Sequence, residues 1–78
     1  MNDTDKNTLK GIWESLLEHS DFSTTDDFFD VGGHSLLATE LMLSIEKAFH
    51  VELPAETIFD HPTIEDLLEV ISSKTQAA

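Results

Sequence analysis

The chain has 78 residues, no cysteine, and sixteen acidic side chains against four lysines, which gives a formal net charge of −12. This length holds one small domain, so we expect a single domain over residues 1–78 without a catalytic lobe. An acidic surface repels nucleic-acid phosphates and anionic lipid, so we expect no nucleic-acid or membrane partner and favour basic protein surfaces. The polar N-terminus and short apolar runs indicate neither a signal peptide nor a membrane span. Without cysteine nothing indicates an oxidising compartment, so we expect a cytoplasmic protein.

An amphipathic stripe predicts a first helix over about residues 5–18. Its apolar residues recur at the spacing of one helical face: they are Leu9, Ile12, Trp13, Leu16 and Leu17. Trp13 lies on this stripe and is therefore predicted to be core rather than a binding platform. A long loop follows over residues 19–34, and a loop of this length is either functional or held by its own side chains. Its expected anchors are Phe22, Phe28, Phe29 and Val31.

The second helix is predicted over residues 35–49. One arc of the helical wheel contains its apolar core positions, which are Leu37, Ala38, Leu41, Ile45, Ala48 and Phe49. Leu36 and Leu43 lie on the other side, flanking Thr39 on a face that adjoins Ser35. Two leucines there suggest a docking patch for a partner, although ordinary exposed leucines are common on protein surfaces.

A short third helix is predicted over residues 55–59, because Pro54 can precede or open a helix. We expect Ile58 and Phe59 to turn inward. The segment is long enough for only one or two turns.

The last helix is predicted over residues 63–73. Thr63 has the character of an N-cap, and Asp66 places an acid in the first turn. The apolar face of this helix comprises Ile64, Leu67, Leu68 and Ile71. No strand alternation appears anywhere, so the predicted fold class is all-α, a small bundle of three main helices and one short helix.

The most informative motif is the run DVGGHSL at residues 30–36. Gly32 and Gly33 remove side chains from the approach to Ser35, so that a partner's active site can come close to the backbone. The free N–H groups at the start of the following helix would favour a phosphate attached to Ser35. The sequence therefore predicts Ser35 as the site of a phosphodiester, with His34 beside it.

Two other interpretations of Ser35 follow from its position. A nucleophile elbow of a serine hydrolase would need glycine where Leu37 stands, and also a strand feeding the helix. A serine at a helix start can also serve only as a structural cap. A third alternative, of another class, is an acidic helical adaptor that binds proteins without modification.

Metal binding is not expected. His19, His34, His50 and His61 lack the close pairing of zinc motifs. The aspartates at positions 26, 27 and 30 do not match the spacing of an EF-hand loop. Each histidine is interpreted as a surface or loop-packing residue, except that the ring of His34 is close enough to Ser35 to contact a prosthetic group or partner.

The motif resembles the attachment site of the phosphopantetheine-dependent carrier proteins. The resemblance extends from Leu9 to Ile71 and includes the segments at 27–39, 45–54 and 58–64. Its Gly-Gly-His-Ser-Leu form is similar to the peptidyl or aryl carrier (thiolation) domains of nonribosomal peptide synthetases, whereas fatty-acid acyl carriers usually have Asp-Ser-Leu there. An acidic chain with Glu40, where a basic residue is frequent, also resembles free-standing acyl carriers, so an acyl carrier for fatty-acid or polyketide synthesis stays an alternative.

The resemblance implies a small right-handed-type four-helix bundle that catalyses nothing itself. A phosphopantetheinyl transferase would move 4′-phosphopantetheine from coenzyme A onto Ser35, and the arm would carry aminoacyl, aryl or peptidyl thioesters. The implied partners are an adenylation enzyme or acyl or aminoacyl ligase, and condensation, tailoring or thioesterase enzymes. Residues expected beside the cofactor or partner are Gly32, Gly33, His34, Leu36, Thr39 and Leu43. We expect a monomer and, from the nearness of Met1 to the first helix, a free-standing protein.

Overall fold

The computed structural model of the protein describes residues 3–76, with side chains for residues 4–74, and contains helices and loops but no strand in that range. The four helices are α1 Asp3–Leu17, α2 Ser35–Phe49, α3 Thr57–Asp60 and α4 Ile64–Gln76. The predicted all-α class, with three main helices and one short helix, is confirmed. The predicted limits at residues 1 and 78 lie outside the described residues.

Helix boundaries follow local chemistry closely. Helix α2 has its predicted range, and the Asp66 backbone N–H donates to Thr63 Oγ1 at 3.0 Å, which confirms Thr63 as the cap of α4. Helix α3 begins at Thr57, later than predicted, because residues 54–56 form a tighter turn in which the Thr57 N–H donates to the Pro54 carbonyl at 3.0 Å.

The core lies between α1, α2 and α4, with α1 packed against both of the others. Trp13 is fully buried, as predicted, and its ring contacts Phe22 and Phe28 at centroid distances of 5.5 and 4.9 Å. The contact with Phe28 is edge-to-face, and such contacts stabilise aromatic cores beyond the area they bury. The remaining buried apolar residues are Leu9, Ala38, Leu41, Met42, Ile45, Val51, Leu53, Ile58, Ile64, Leu67, Leu68 and Ile71.

Two predicted core positions are wrong. Ala48 is exposed, because the buried stripe of α2 is rotated toward Met42, which leaves Ala48 at the edge of the stripe in the last turn. Phe59 was expected to turn inward but is 62% exposed, since Ile58 already occupies the inward position of the four-residue helix α3. Phe59 instead stacks on Phe29, with ring centroids 5.3 Å apart and an interplanar angle of 11°.

The four predicted anchor residues hold the long loop between α1 and α2. Phe28 is fully buried, and Phe22, Phe29 and Val31 pack against the core. Two backbone hydrogen bonds also join the loop to the start of α4: the Phe28 N–H donates to the Pro62 carbonyl at 2.8 Å, and the Thr24 carbonyl accepts from Glu65. The loop therefore has a defined path into α2.

Candidate functional site

Ser35 is the first residue of α2 and is exposed. The N-cap is the preceding His34, whose backbone is extended (φ −150°, ψ 178°) and whose side chain makes no capping hydrogen bond. Thr39 Oγ1 donates a hydrogen bond to the Ser35 backbone carbonyl at 3.3 Å, and this bond does not involve the Ser35 hydroxyl. Ser35 is therefore not the cap of α2, and the interpretation of its hydroxyl as a structural cap is wrong.

The start of α2 is suited to a phosphate group. The helical ladder begins with the Ala38 N–H donating to the His34 carbonyl at 2.8 Å, so the three amides before Ala38 have no partner within the helix. The positive end of the helix dipole points toward these amides. The first turn contains no acidic side chain that would repel an anion. A phosphodiester on Ser35 would lie in this favourable field.

Gly33 packs directly on the buried Phe28. The Gly33 N–H donates to the Phe28 carbonyl at 2.9 Å. A Cβ atom at this position would overlap the Phe28 ring carbons Cδ2 and Cε2 and would lie 2.7 Å from the Phe28 carbonyl oxygen. Only glycine allows the chain to pass this close to the aromatic core just before Ser35.

We expect Gly33→Ala to destabilise the fold by about 1–3 kcal/mol, because the added methyl group would overlap the ring of Phe28, which is itself packed against Trp13. For a domain of this size the melting temperature should fall by about 4 °C or more. Thermal unfolding followed by circular dichroism measures this change.

Gly11→Ala is the matched control, since Gly11 is exposed in α1 and an added methyl group would meet no atom within 4 Å. That control should gain about 0.5–1 kcal/mol, and a Gly33→Ala variant that melts at or above the wild-type temperature would contradict the packing role.

Gly32 is required for a different reason from Gly33. Its φ is +117°, a conformation that side-chain-bearing residues rarely adopt, and a Cβ there would meet only ordinary contacts at 3.8 Å from His19 and Leu17. The first glycine therefore sets the direction of the chain, and the second allows the close approach to Phe28.

Leu36 and Leu43 are exposed by 67% and 53%. Thr39, also exposed, lies between them on the face that adjoins Ser35. Their predicted orientation away from the core is therefore confirmed, while their role in docking stays a prediction. Among the residues whose side chains are described, Phe59 is the third large apolar side chain that is exposed. Its exposure was missed because the spacing of apolar residues cannot orient a helix of four residues.

Among the described residues, no group of three or more histidine, cysteine, aspartate or glutamate side chains could hold a metal ion. Within the same range, no helix is long and apolar enough to cross a membrane. His34 is exposed beside Ser35, whereas the ring of His19 binds backbone groups of the loop that leads to the site. These contacts agree with the interpretation of His19 as a loop-packing residue, although the sequence did not indicate which backbone groups its ring would bind.

The chain matches a family model and is similar in sequence to known proteins. The family model for the phosphopantetheine attachment site matches residues 7–71. Tyrocidine synthase 3 of Brevibacillus parabrevis is 44% identical over 64 residues, which is 82% of this chain and 1% of that protein. Bacitracin synthase 2 of Bacillus licheniformis is 41% identical over 66 residues, 85% of this chain and 2% of that protein. The chain thus spans a very small part of these relatives.

Solved structures show the same fold. A chain in the complex of the phosphopantetheine transferase Sfp with coenzyme A and a peptidyl carrier protein has a TM-score of 0.83 and 34% identity, over 87% of this chain and 88% of that one. The solution structure of an active-site mutant peptidyl carrier protein has a TM-score of 0.85 and 32% identity, over 94% and 81%. The chain therefore belongs to the phosphopantetheine attachment-site family and is a non-catalytic carrier domain of the peptidyl type.

Proposed function

We propose that Ser35 is the residue that bears 4′-phosphopantetheine, and that the arm carries aminoacyl or peptidyl thioesters between biosynthetic enzymes. The observation that carries this proposal is that an exposed serine is the first residue of α2. Two glycines lie shortly before it: Gly32 has a positive φ, and Gly33 packs against Phe28. The family match covers this position. The chain has no cysteine, so the thiol that forms the thioester is the terminal thiol of the arm.

The attachment step is the transfer of the phosphopantetheinyl group from coenzyme A to Ser35. The Ser35 hydroxyl oxygen forms a bond to the phosphorus next to pantetheine in coenzyme A, and the diphosphate bond to the adenosine bisphosphate half breaks. The hydroxyl proton passes to a base of the transferase. The carrier presents the nucleophile, and the amides at the start of α2 stabilise the phosphodiester that results.

The partners follow from the relatives and from the charge of the chain. A peptidyl carrier protein has been solved with the phosphopantetheine transferase Sfp, and we propose a transferase of that kind as the first partner. The relatives are peptide synthases, which supports an adenylation enzyme, a condensation enzyme and a thioesterase or tailoring enzyme as later partners. Between Gly11 and Glu46 the sequence has no lysine or arginine, so these partners should offer basic surfaces. We propose that the protein acts in the cytoplasm and is a monomer.

Peptide-synthase relatives favour a peptidyl cargo over a fatty-acid or polyketide cargo. Membership of a modified family likewise favours a carrier over an adaptor that binds without modification. Leu36 and Leu43, both exposed next to Ser35, would provide the apolar part of the docking surface.

The direct test is to incubate the wild-type chain with coenzyme A and a phosphopantetheinyl transferase of broad specificity, and to measure the intact mass. We expect the gain of one phosphopantetheine per chain. A chain that gains no mass, in a reaction where a known peptidyl carrier protein is fully converted, would contradict the proposal.

A further inference from the structure

His19 lies two residues after the end of α1 and sixteen positions before Ser35 in the chain, yet its ring contacts the segment that leads into the site. The preceding residue, Glu18, has a left-handed backbone (φ 62°), and its N–H donates to the Glu14 carbonyl at 2.9 Å. This ending of α1 turns the chain so that the His19 ring reaches the other end of the loop. His19 Nε2 lies 2.7 Å from the Val31 carbonyl oxygen.

The two nitrogens of the ring have opposite roles. The Asp21 backbone N–H can only donate, and it lies 3.0 Å from His19 Nδ1, so Nδ1 is an acceptor. The Val31 carbonyl can only accept, so Nε2 carries the proton. The Phe22 ring and the imidazole are close to perpendicular, with a centroid distance of 6.0 Å. The contacts therefore select one neutral tautomer and one ring orientation.

The bond to Val31 acts on the conformation of Gly32. The Val31 carbonyl and the Gly32 nitrogen belong to one peptide plane, and the φ of Gly32 is the rotation about the bond that leaves this plane. Glycine has the widest choice of backbone conformations, so a Gly32-Gly33 pair without an anchor would sample many of them. Beyond Gly32, the Gly33 N–H is bound to Phe28. On the other side of Gly32, the Val31 side chain packs against the core and the His19 ring holds the Val31 carbonyl, so His19 fixes the orientation of the Val31–Gly32 peptide plane.

We infer that His19 is a positioning residue for the modification of Ser35: its Nε2–H holds the Val31–Gly32 peptide and so keeps the start of α2 in the conformation that the transferase binds. This inference rests on the proposed attachment of phosphopantetheine to Ser35. A loop that populates other conformations lowers the apparent affinity by the fraction that is competent to bind. Loss of the His19 bond should therefore raise KM for the carrier and leave kcat unchanged.

Two variants separate the bond to Val31 from the bond to Asp21. In His19→Asn the shorter side chain keeps an oxygen where Nδ1 was, so it still accepts from Asp21 but does not reach Val31. In His19→Gln the longer side chain brings an amide N–H to the place of Nε2. We expect KM with the transferase to rise roughly 3- to 10-fold in His19→Asn, the range of one lost hydrogen bond, and to return to within about twofold of wild type in His19→Gln. The melting temperature of His19→Asn should fall by only a few degrees, the effect of one hydrogen bond on a domain of this size, and His19→Gln should recover it. Both variants are assayed well below their melting temperatures.

A second readout does not depend on the reaction. A long-range proton–nitrogen NMR spectrum of the wild-type chain should show His19 as the Nε2–H tautomer, and an Nδ1–H tautomer would overturn the inference. A wild-type KM in His19→Asn, or an equal rise in both variants, would overturn it as well. These results are distinct from a failure of the proposed function, in which the wild-type chain itself gains no phosphopantetheine.

Discussion

Ser35→Ala is expected to abolish the uptake of phosphopantetheine completely. The substitution removes the only hydroxyl group at the start of α2, and no neighbouring nucleophile occupies the same place: His34 is the extended N-cap, and Leu36 is apolar. The reaction has no slower route through this site, so the effect is a loss rather than a reduction. The measurement is the intact mass after incubation with coenzyme A and a transferase.

The fold should survive this change. Ser35 is exposed, its side chain does not cap α2, and alanine has a higher helix propensity than serine. The free energy of unfolding should stay within about 0.5 kcal/mol of wild type. Ser15→Ala, an exposed serine in α1, is the matched control and should be modified as fast as wild type. If Ser35→Ala still gains one phosphopantetheine, another residue bears the arm and the assignment fails.

Leu41→Asp is expected to unfold the domain. Leu41 is fully buried and belongs to the hydrophobic core. A carboxylate there would lose its hydration without a partner, at a cost of several kcal/mol. The whole stability of a domain of this size is about 4–12 kcal/mol, so little folded protein should remain. Circular dichroism, and the fluorescence of Trp13, the single tryptophan, report the loss.

Leu43→Asp is the control for this result, because it places the same charge in the same helix two residues later. Leu43 is 53% exposed, so the melting temperature should stay near that of wild type. If Leu43 belongs to the docking surface, modification by the transferase should slow, since a carboxylate replaces an apolar contact. A variant that folds and reacts at the wild-type rate would remove Leu43 from the docking surface, and one that melts as early as Leu41→Asp would reverse its assignment to the exposed face.

The spacing of apolar residues was sufficient to predict the main helices. Leu9 and Trp13 in α1, and Leu41 and Ile45 in α2, recur with the helical period, and all four are buried. The period sets the angular position of each side chain about its own axis, so it also separated Leu43 from this stripe. The residues before Ser35 were predictive for a similar reason, since the glycine pair and the helix start are properties of adjacent positions.

The sequence by itself thus determined the class of the fold, the range of α2 and the proposed attachment residue, because each depends on residues that are close along the chain. Tertiary structure alone decided the features that join distant segments. The stack of Phe59 on Phe29, the burial of Met42 in place of Ala48, and the bond from His19 to Val31 all depend on how helices and loop pack together. A residue's spacing specifies its direction from one helix, but it carries no information about which segment lies opposite. For this reason the motif predicted which residue carries the arm, and only the packed structure revealed what holds that residue in place.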